Sequence, residues 1–356
     1  MKRVVHVLGS LKPSGMERML ASSYDDWKKN EWDAEIFSYD SGNIYESELT
    51  SFGYKVVNLP RSTIFRYLLN LFVELRNGEF DVVHLHVESN NGLVSIVIRL
   101  ALPRATIVRT IHNVFNNVGV ARTSRKVQRL MAKVVGTKFV APGYEVAIHE
   151  QKDWNTHTLV IENWVSSEFI SKSSEITKNF SSDGDIVFGI VGNCSVIKNH
   201  KLALNAIIDL DSVKLIHLGD ESGMPAAERA LKNAELIQGK VQFLGFVSNV
   251  ASEMAKMECL LVPSLQEGFS VVVLEALCFG IPIIAKKSPG MMWLADTPGT
   301  LLIENDADWE QSLRAFDRKL LAQLTGDAEA NKENLRRRFS PERGVKQYVD
   351  IYQGSK

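Results

Sequence analysis

Short apolar runs alternate along the chain with longer stretches in which apolar residues recur every three or four positions. The run Val4–Leu8 ends at Gly9 and Ser10, and a helical pattern starts at Met16. The same rhythm predicts strands at Ala34–Ser38, Lys55–Asn58, Asp81–His86, Thr106–Thr110 and Lys138–Ala141. Helices are predicted near Glu46–Phe52, across Arg66–Asn77 and over Ser124–Val135. From Ser166 onward the composition turns to Ser, Lys, Glu, Asn and Gly, which predicts a linker over 169–185. The rhythm then restarts with a strand at Ile186–Val191, a helix at Lys201–Asp209 and strands at Lys214–Leu218 and Val241–Leu244. Strands alternating with helices build parallel sheets covered on both faces. The pattern therefore predicts an α/β chain of two doubly wound domains, 1–168 and 186–339, facing each other across a cleft, with a last helix at Glu342–Tyr352.

Length agrees with that division, since 356 residues suit two domains. Hydrophobic residues at 45% and charged residues at 23% fit a globular protein rather than a disordered one. Cys194, Cys259 and Cys278 have no paired short spacing, so neither a disulfide framework nor a zinc knuckle is expected, and a reducing compartment is. The apolar start is too short and too strand-like for a signal sequence. No run approaches the roughly 20 apolar residues that span a bilayer, so membrane contact is expected to be peripheral.

The richest segment is PSLQEGFSVVVLEALCFGIP, residues 263–282. A buried strand enters through Glu258–Val262, Gly268 allows a turn, Ser270 is a candidate N-cap, and the helix ends with Gly280 and Pro282 beyond it. A helix that starts just past a strand end offers unpaired N–H groups and a positive dipole end to a phosphate. Glu267 and Glu275 flank that start. Two carboxylates beside a diphosphate are explained if the ligand also carries hydroxyl-rich rings. On spacing alone, a well-capped helix with two surface glutamates explains the segment equally well.

Glu267 and Glu275, with seven residues between them, make the segment similar to the signature of retaining GT-B glycosyltransferases of the group 1, or family 4, type. Other matches follow in order. Ser14-Gly15-Met16-Glu17-Arg18 resembles the N-terminal glycine loop, Asp81-Val82-Val83-His84-Leu85-His86 the Asp-Val-Val-His strand, and Val108–Asn113 the strand ending in the active-site histidine. Val160–Val165 resembles the hinge approach and Leu244-Gly245-Phe246-Val247 the base-binding loop. The resemblance implies a GT-B fold whose last helix, within 340–356, returns to the first domain. His112 and Glu267 would contact the donor sugar. Lys198 would neutralise the diphosphate, with Ser14, Gly15, Asn193, Gly245, Phe246, Val247, Gly268, Phe269, Ser270 and Val271 as donor-binding residues and Glu275 at the ribose. No cofactor or metal would be needed. The pattern departs from the family at Asn193, where an arginine is usual, at Ser14, where a glycine is usual, and at Trp293, where an acidic residue is usual. An amide lacks the positive charge of a guanidinium, so leaving-group stabilisation is expected to be weaker or shared.

His84 and His86 suggest a metal pair or, with no further ligand near in sequence, a packed hydrogen-bonded role. His200 suggests a solvated loop histidine or a phosphate contact. Between Arg99 and Tyr144 the chain has no Asp or Glu, its cations include Arg122, Arg125, Lys126, Arg129 and Lys133, and Val127, Leu130, Met131 and Val134 fall among them at helical spacing. This helix is read either as facing anionic membrane and a polyprenyl-diphosphate-linked saccharide, or as a surface helix whose apolar stripe is core. A net charge of −1 and the absence of interleaved aromatics argue against nucleic acid. The expected activity is transfer of a hexose or N-acetylhexosamine from a nucleotide diphosphate sugar, UDP first, at the cytoplasmic face of a bacterial membrane. The alternatives are a nucleotide-sugar 2-epimerase and a non-catalytic sugar-nucleotide-binding partner subunit.

Overall fold

The computed structural model describes residues 1–11, 15–39, 44–114, 118–176 and 184–354, with only the backbone of Ile44. Two compact units emerge: Met1–Ser166 with Pro341–Lys356, and Ser167–Ser340.

The first unit runs β1 (Lys2–Val7), α1 (Gly15–Ala21), α2 (Tyr24–Lys29), β2 (Trp32–Ser38), α3 (Ile44–Ser51), β3 (Lys55–Asn58), α4 (Ile64–Gly78), β4 (Val82–Leu85), α5 (Asn91–Ala101), β5 (Thr106–Thr110), α6 (Gly119–Val134), β6 (Lys138–Ala141), α7 (Tyr144–Trp154) and β7 (Leu159–Val160). Its described strands pair in parallel in the order β3-β2-β1-β4-β5-β6-β7. Because such strands are buried on both faces, they read as near-continuous apolar runs. Val5, Val83 and Ile107 face one core, while Val4, Val82 and Val108 face the other.

The second unit runs α8 (Ser167–Glu175), β8 (Ile186–Val191), α9 (His200–Ile208), β9 (Val213–Leu218), α10 (Ala226–Lys232), β10 (Val241–Gly245), α11 (Val250–Met254), β11 (Cys259–Val262), α12 (Val271–Cys278), β12 (Ile283–Lys286), β13 (Thr300–Ile303), α13 (Asp306–Arg314) and α14 (Arg318–Arg338). Its strand order, β10-β9-β8-β11-β12-β13, repeats the doubly wound plan. In each unit the order reverses beside the first strand, between β1 and β4 and between β8 and β11. That switch point opens a crevice at the carboxyl strand ends, where ligands bind in such sheets.

The start of the expected linker is instead a helix. In α8, Phe169 and Ser173 are buried, and Phe169 meets Phe279 edge-on at 6.2 Å. Residues 177–183 lie outside the described residues. The final helix, α15 (Pro341–Tyr352), belongs to the first unit. Tyr352 stacks on Trp27 at 5.7 Å, and Gly344 lies so close to Trp164 that an added Cβ would come within 2.1 Å of its ring.

Candidate functional site

At the switch point of the second sheet, the loops leaving β8 and β11 are tied together. The Leu265 N–H donates to the Ile197 carbonyl at 2.8 Å, and Asn199 Nδ2 donates to the Pro263 carbonyl at 3.2 Å. These cross-loop bonds bring Lys198 Nζ within 2.7 Å of Glu267 Oε1, and the Ser264 hydroxyl donates to the same oxygen at 2.8 Å. Both side chains keep some solvent access, 29% for Lys198 and 11% for Glu267, so this is a partly exposed cation and carboxylate beyond the carboxyl ends of β8 and β11.

Glu267 is also held by its backbone, its N–H donating to the Pro289 carbonyl at 2.9 Å. Gly290 has φ 86°, and a Cβ there would stand 2.2 Å from the Glu267 carbonyl oxygen. Gly290→Ala therefore combines a left-handed backbone with a backbone clash. It is expected to destabilise the second unit by about 1–3 kcal/mol and to lower turnover, as urea denaturation and a transfer assay would show. Wild-type values in both would remove Gly290 from the support of Glu267.

Just beyond, α12 starts with Ser270 at the N-cap, but its side chain makes no cap bond, contrary to the expected capping role. With ψ 113° its hydroxyl is not engaged by the first turn, whose N–H groups it leaves to other acceptors. Phe269 stacks on Trp293 at 5.1 Å and meets Phe339 at 5.8 Å, so Trp293 packs against the residue that precedes the helix. Glu275 lies in the second turn, with 3% of its surface exposed. Gly268 is buried, and Val271 is the first helical residue.

Asn193 is committed to the loop, its Oδ1 accepting the Asp220 N–H at 3.0 Å. Gly219, with φ 141°, allows the β8 and β9 loops to touch, since a Cβ there would lie 2.0 Å from the Gly192 carbonyl. Gly245 has φ 63° and accepts the Gly219 N–H, Phe246 is 63% exposed, and Val247 is half-buried. His200 is not a solvated loop histidine. It opens α9 in a buried position, with Nδ1 3.0 Å from His217 Nε2.

The first unit gathers four histidines, His6, His84, His86 and His112, around the carboxyl ends of β1, β4 and β5. His112 Nε2 is 3.0 Å from His86 Nδ1, and His86 Nε2 is 3.1 Å from His6 Nδ1. His84 bonds the Tyr352 hydroxyl at 2.7 Å and the Thr110 hydroxyl at 2.8 Å. His84 and His86 thus take the packed, hydrogen-bonded role, with His6 as an unforeseen third member. Its signal was a polar residue inside the apolar run Val4–Leu8. Burial lowers His112 to about 4, helped by Arg109, so it is neutral at physiological pH. Gly15 opens α1, while Ser14 lies outside the described residues.

Burial likewise lowers His6 to about 3, His200 to about 3 and His217 to about 4, and holds His84 and His86 well below 6.5. The unfolded chain takes up protons at these positions below 6.5 and the folded chain does not, so stability falls as pH drops from about 6.5 toward 4. The carboxyls of Glu88 and Glu228, raised by burial, oppose this but are fewer. The urea midpoint is expected to be lower at pH 5 than at pH 7, and an equal or higher midpoint at pH 5 contradicts neutral burial of the histidines.

The basic helix α6 divides its cations between an inward and an outward side. Arg129 is buried and makes a two-point ion pair with buried Glu150, at 2.8 and 2.5 Å, beneath Trp154. Arg122 donates to the Asp153 carbonyl, and Arg125 stands 3.9 Å from Glu88, which also pairs with buried Arg109 at 3.0 Å. The arginines therefore turn inward, because each finds a carboxylate or carbonyl on a neighbouring segment. Val127, Leu130 at 62% and Val134 at 78% face outward with Lys126 and Lys133, and Met131 is half-buried, so the stripe is not core. Among the described residues no helix is long and apolar enough to cross a membrane.

Residues 185–320 match the family model described as glycosyl transferases group 1. The chain is 24% identical over 366 residues to the putative glycosyltransferase EpsF of Bacillus subtilis (strain 168), covering 93% of this chain and 94% of EpsF. It superposes on Anabaena Alr3699/HepE in complex with UDP and glucose with a TM-score of 0.80 at 18% identity, covering 99% of this chain and 100% of that one. WaaG, a glycosyltransferase involved in lipopolysaccharide biosynthesis, gives 0.76 at 15% identity, with 99% and 100% covered. With two parallel-sheet units of doubly wound order, the chain has the GT-B fold of these neighbours, and residues 185–320 of its second unit are similar to the group 1 glycosyl transferases.

Proposed function

We propose that the protein is a retaining transferase that moves a hexose or N-acetylhexosamine from UDP to a lipid-linked saccharide during bacterial surface polysaccharide synthesis. The observation that carries this reading is the Lys198–Glu267 pair at the β8/β11 switch point, beside the start of α12. The nucleoside diphosphate lies along the carboxyl ends of that sheet. The amides of Phe269, Ser270 and Val271 and the Lys198 ammonium receive the negative charge that develops as the sugar–phosphate bond breaks. Glu267 accepts from sugar hydroxyls and Glu275 from the ribose. No catalytic metal is invoked, because a cation and a helix start already answer the diphosphate charge. The UDP complex of HepE and the lipopolysaccharide role of WaaG favour this choice of donor and pathway.

The outward apolar stripe of α6, flanked by Lys126 and Lys133, suits shallow insertion among anionic headgroups, where the lipid-linked acceptor resides. Wild-type protein is expected to sediment with phosphatidylglycerol vesicles and the Leu130→Asp/Val134→Asp variant to stay in the supernatant. Equal sedimentation would remove the stripe from membrane docking.

Incubation with labelled UDP- and GDP-sugars and a polyprenyl-diphosphate saccharide tests the activity. Release of UDP with a product that keeps the donor's anomeric configuration by NMR supports the proposal. Inverted product overturns the retaining step, donor interconversion points to a 2-epimerase, and tight binding without turnover points to the partner subunit. The last alternative is motivated by Asn193, whose amide brings no charge to the leaving group.

A further inference from the structure

We propose that Cys194, His200 and His217 form a structural binding site for a zinc-type divalent ion, which ties the loop bearing Asn193 and Lys198 to β9. The three side chains come from separate elements: the loop after β8, the first residue of α9, and the interior of β9. All three are buried, and their ligand atoms lie within 4.8 Å of one another.

The spacing suits an ion. Cys194 Sγ is 3.6 Å from His217 Nε2, which is 3.0 Å from His200 Nδ1. Tetrahedral zinc with ordinary bond lengths sets nitrogen–nitrogen edges of about 3.3 Å and sulfur–nitrogen edges of about 3.6 Å. Without an ion, His217 Nε2 can serve only one of the two groups that face it, the Cys194 thiol and the His200 imidazole. Glu228 adds an independent sign. It is buried, one oxygen accepts the Lys201 N–H, and the other has no partner. A divalent cation, one thiolate and the Glu228 carboxylate sum to zero charge, which a buried cluster requires. Binding releases the Cys194 proton to solvent and leaves both imidazoles neutral. A water completes the fourth position.

The histidines of the first unit come equally close but carry no such proposal. Both ring nitrogens of His84 bond hydroxyls, and both of His86 bond other histidines.

Cobalt(II) titrated into metal-free full-length protein tests the site. One equivalent is expected to bind with a thiolate-to-cobalt charge-transfer band in the near ultraviolet and to be displaced by zinc. Cys194→Ser should lose the band and weaken binding by more than the ~10–100-fold that loss of an outer-shell partner costs. Cys259→Ser, a change on β11, should keep both. X-ray absorption of zinc-loaded wild type, which needs no variant to fold, should show one sulfur ligand and two imidazoles. Absence of the band in wild type, its survival in Cys194→Ser, or an absorption spectrum without sulfur overturns the proposal, and none of these results touches the transferase assignment.

Discussion

Replacing Glu267 by alanine is expected to lower kcat by about 10²–10³-fold, the cost of removing one preorganised contact at a reacting centre. The melting temperature should change little, because the Lys198–Glu267 pair is partly exposed and such pairs add only about 0–1 kcal/mol. The donor KM is the informative second reading. Loss of the carboxylate leaves Lys198 without the partner it has at 2.7 Å, so its ammonium becomes fully available to the diphosphate. Donor KM is therefore expected to stay level or fall while kcat collapses. A rise in KM at unchanged kcat would mean that Glu267 only helps to hold ground-state donor and takes no part in the transition state.

The largest stability effect is expected in the first unit, at Arg129→Ala. Glu150 is wholly buried and its carboxylate is held by Arg129 on two edges, so truncation leaves an uncompensated charge in the interior. Breaking a buried pair in this way costs about 3–5 kcal/mol, and loss of the guanidinium over Trp154, at 4.3 Å, adds to it. Domains are stable by only about 5–15 kcal/mol, so the first unit should melt well below the second. Arg129→Lys keeps the charge but not the two-point geometry and should fall between. A loss under about 1 kcal/mol would contradict the burial of this pair.

Both effects bear on how far the fold could be read in advance. Strands such as Thr106–Thr110, Lys138–Ala141 and Ile186–Val191 have the bounds that their apolar runs marked, because parallel strands covered on both faces advertise themselves in composition. Helix α8 went unread because only Phe169 and Ser173 of its residues are buried, and a polar helix looks like linker. The side on which α6 faces the protein was not legible either. Helical spacing marks a stripe but does not say whether it turns inward, and Arg129 is drawn in by Glu150, whose place depends on the next helix.

The candidate site shows the same division. Glu267, Glu275 and Lys198 stand out in the sequence through their spacing and surroundings. That Lys198 and Glu267 touch was not visible, since they lie 69 positions apart and meet only because β8 and β11 are neighbours across the switch point. Nor was the Gly290 support, which acts through a carbonyl rather than a side chain. His217 was likewise hidden, its role set by the loop and helix that fold over β9.

Equilibrium binding of UDP to the wild type, Lys198→Ala and Glu275→Ala, by calorimetry at fixed salt, tests the central claim most directly. The account predicts that wild type binds and that each variant binds at least about 10-fold more weakly, more than 1.4 kcal/mol, with both still folded. UDP bound with wild-type affinity by both variants would contradict a diphosphate site at the start of α12.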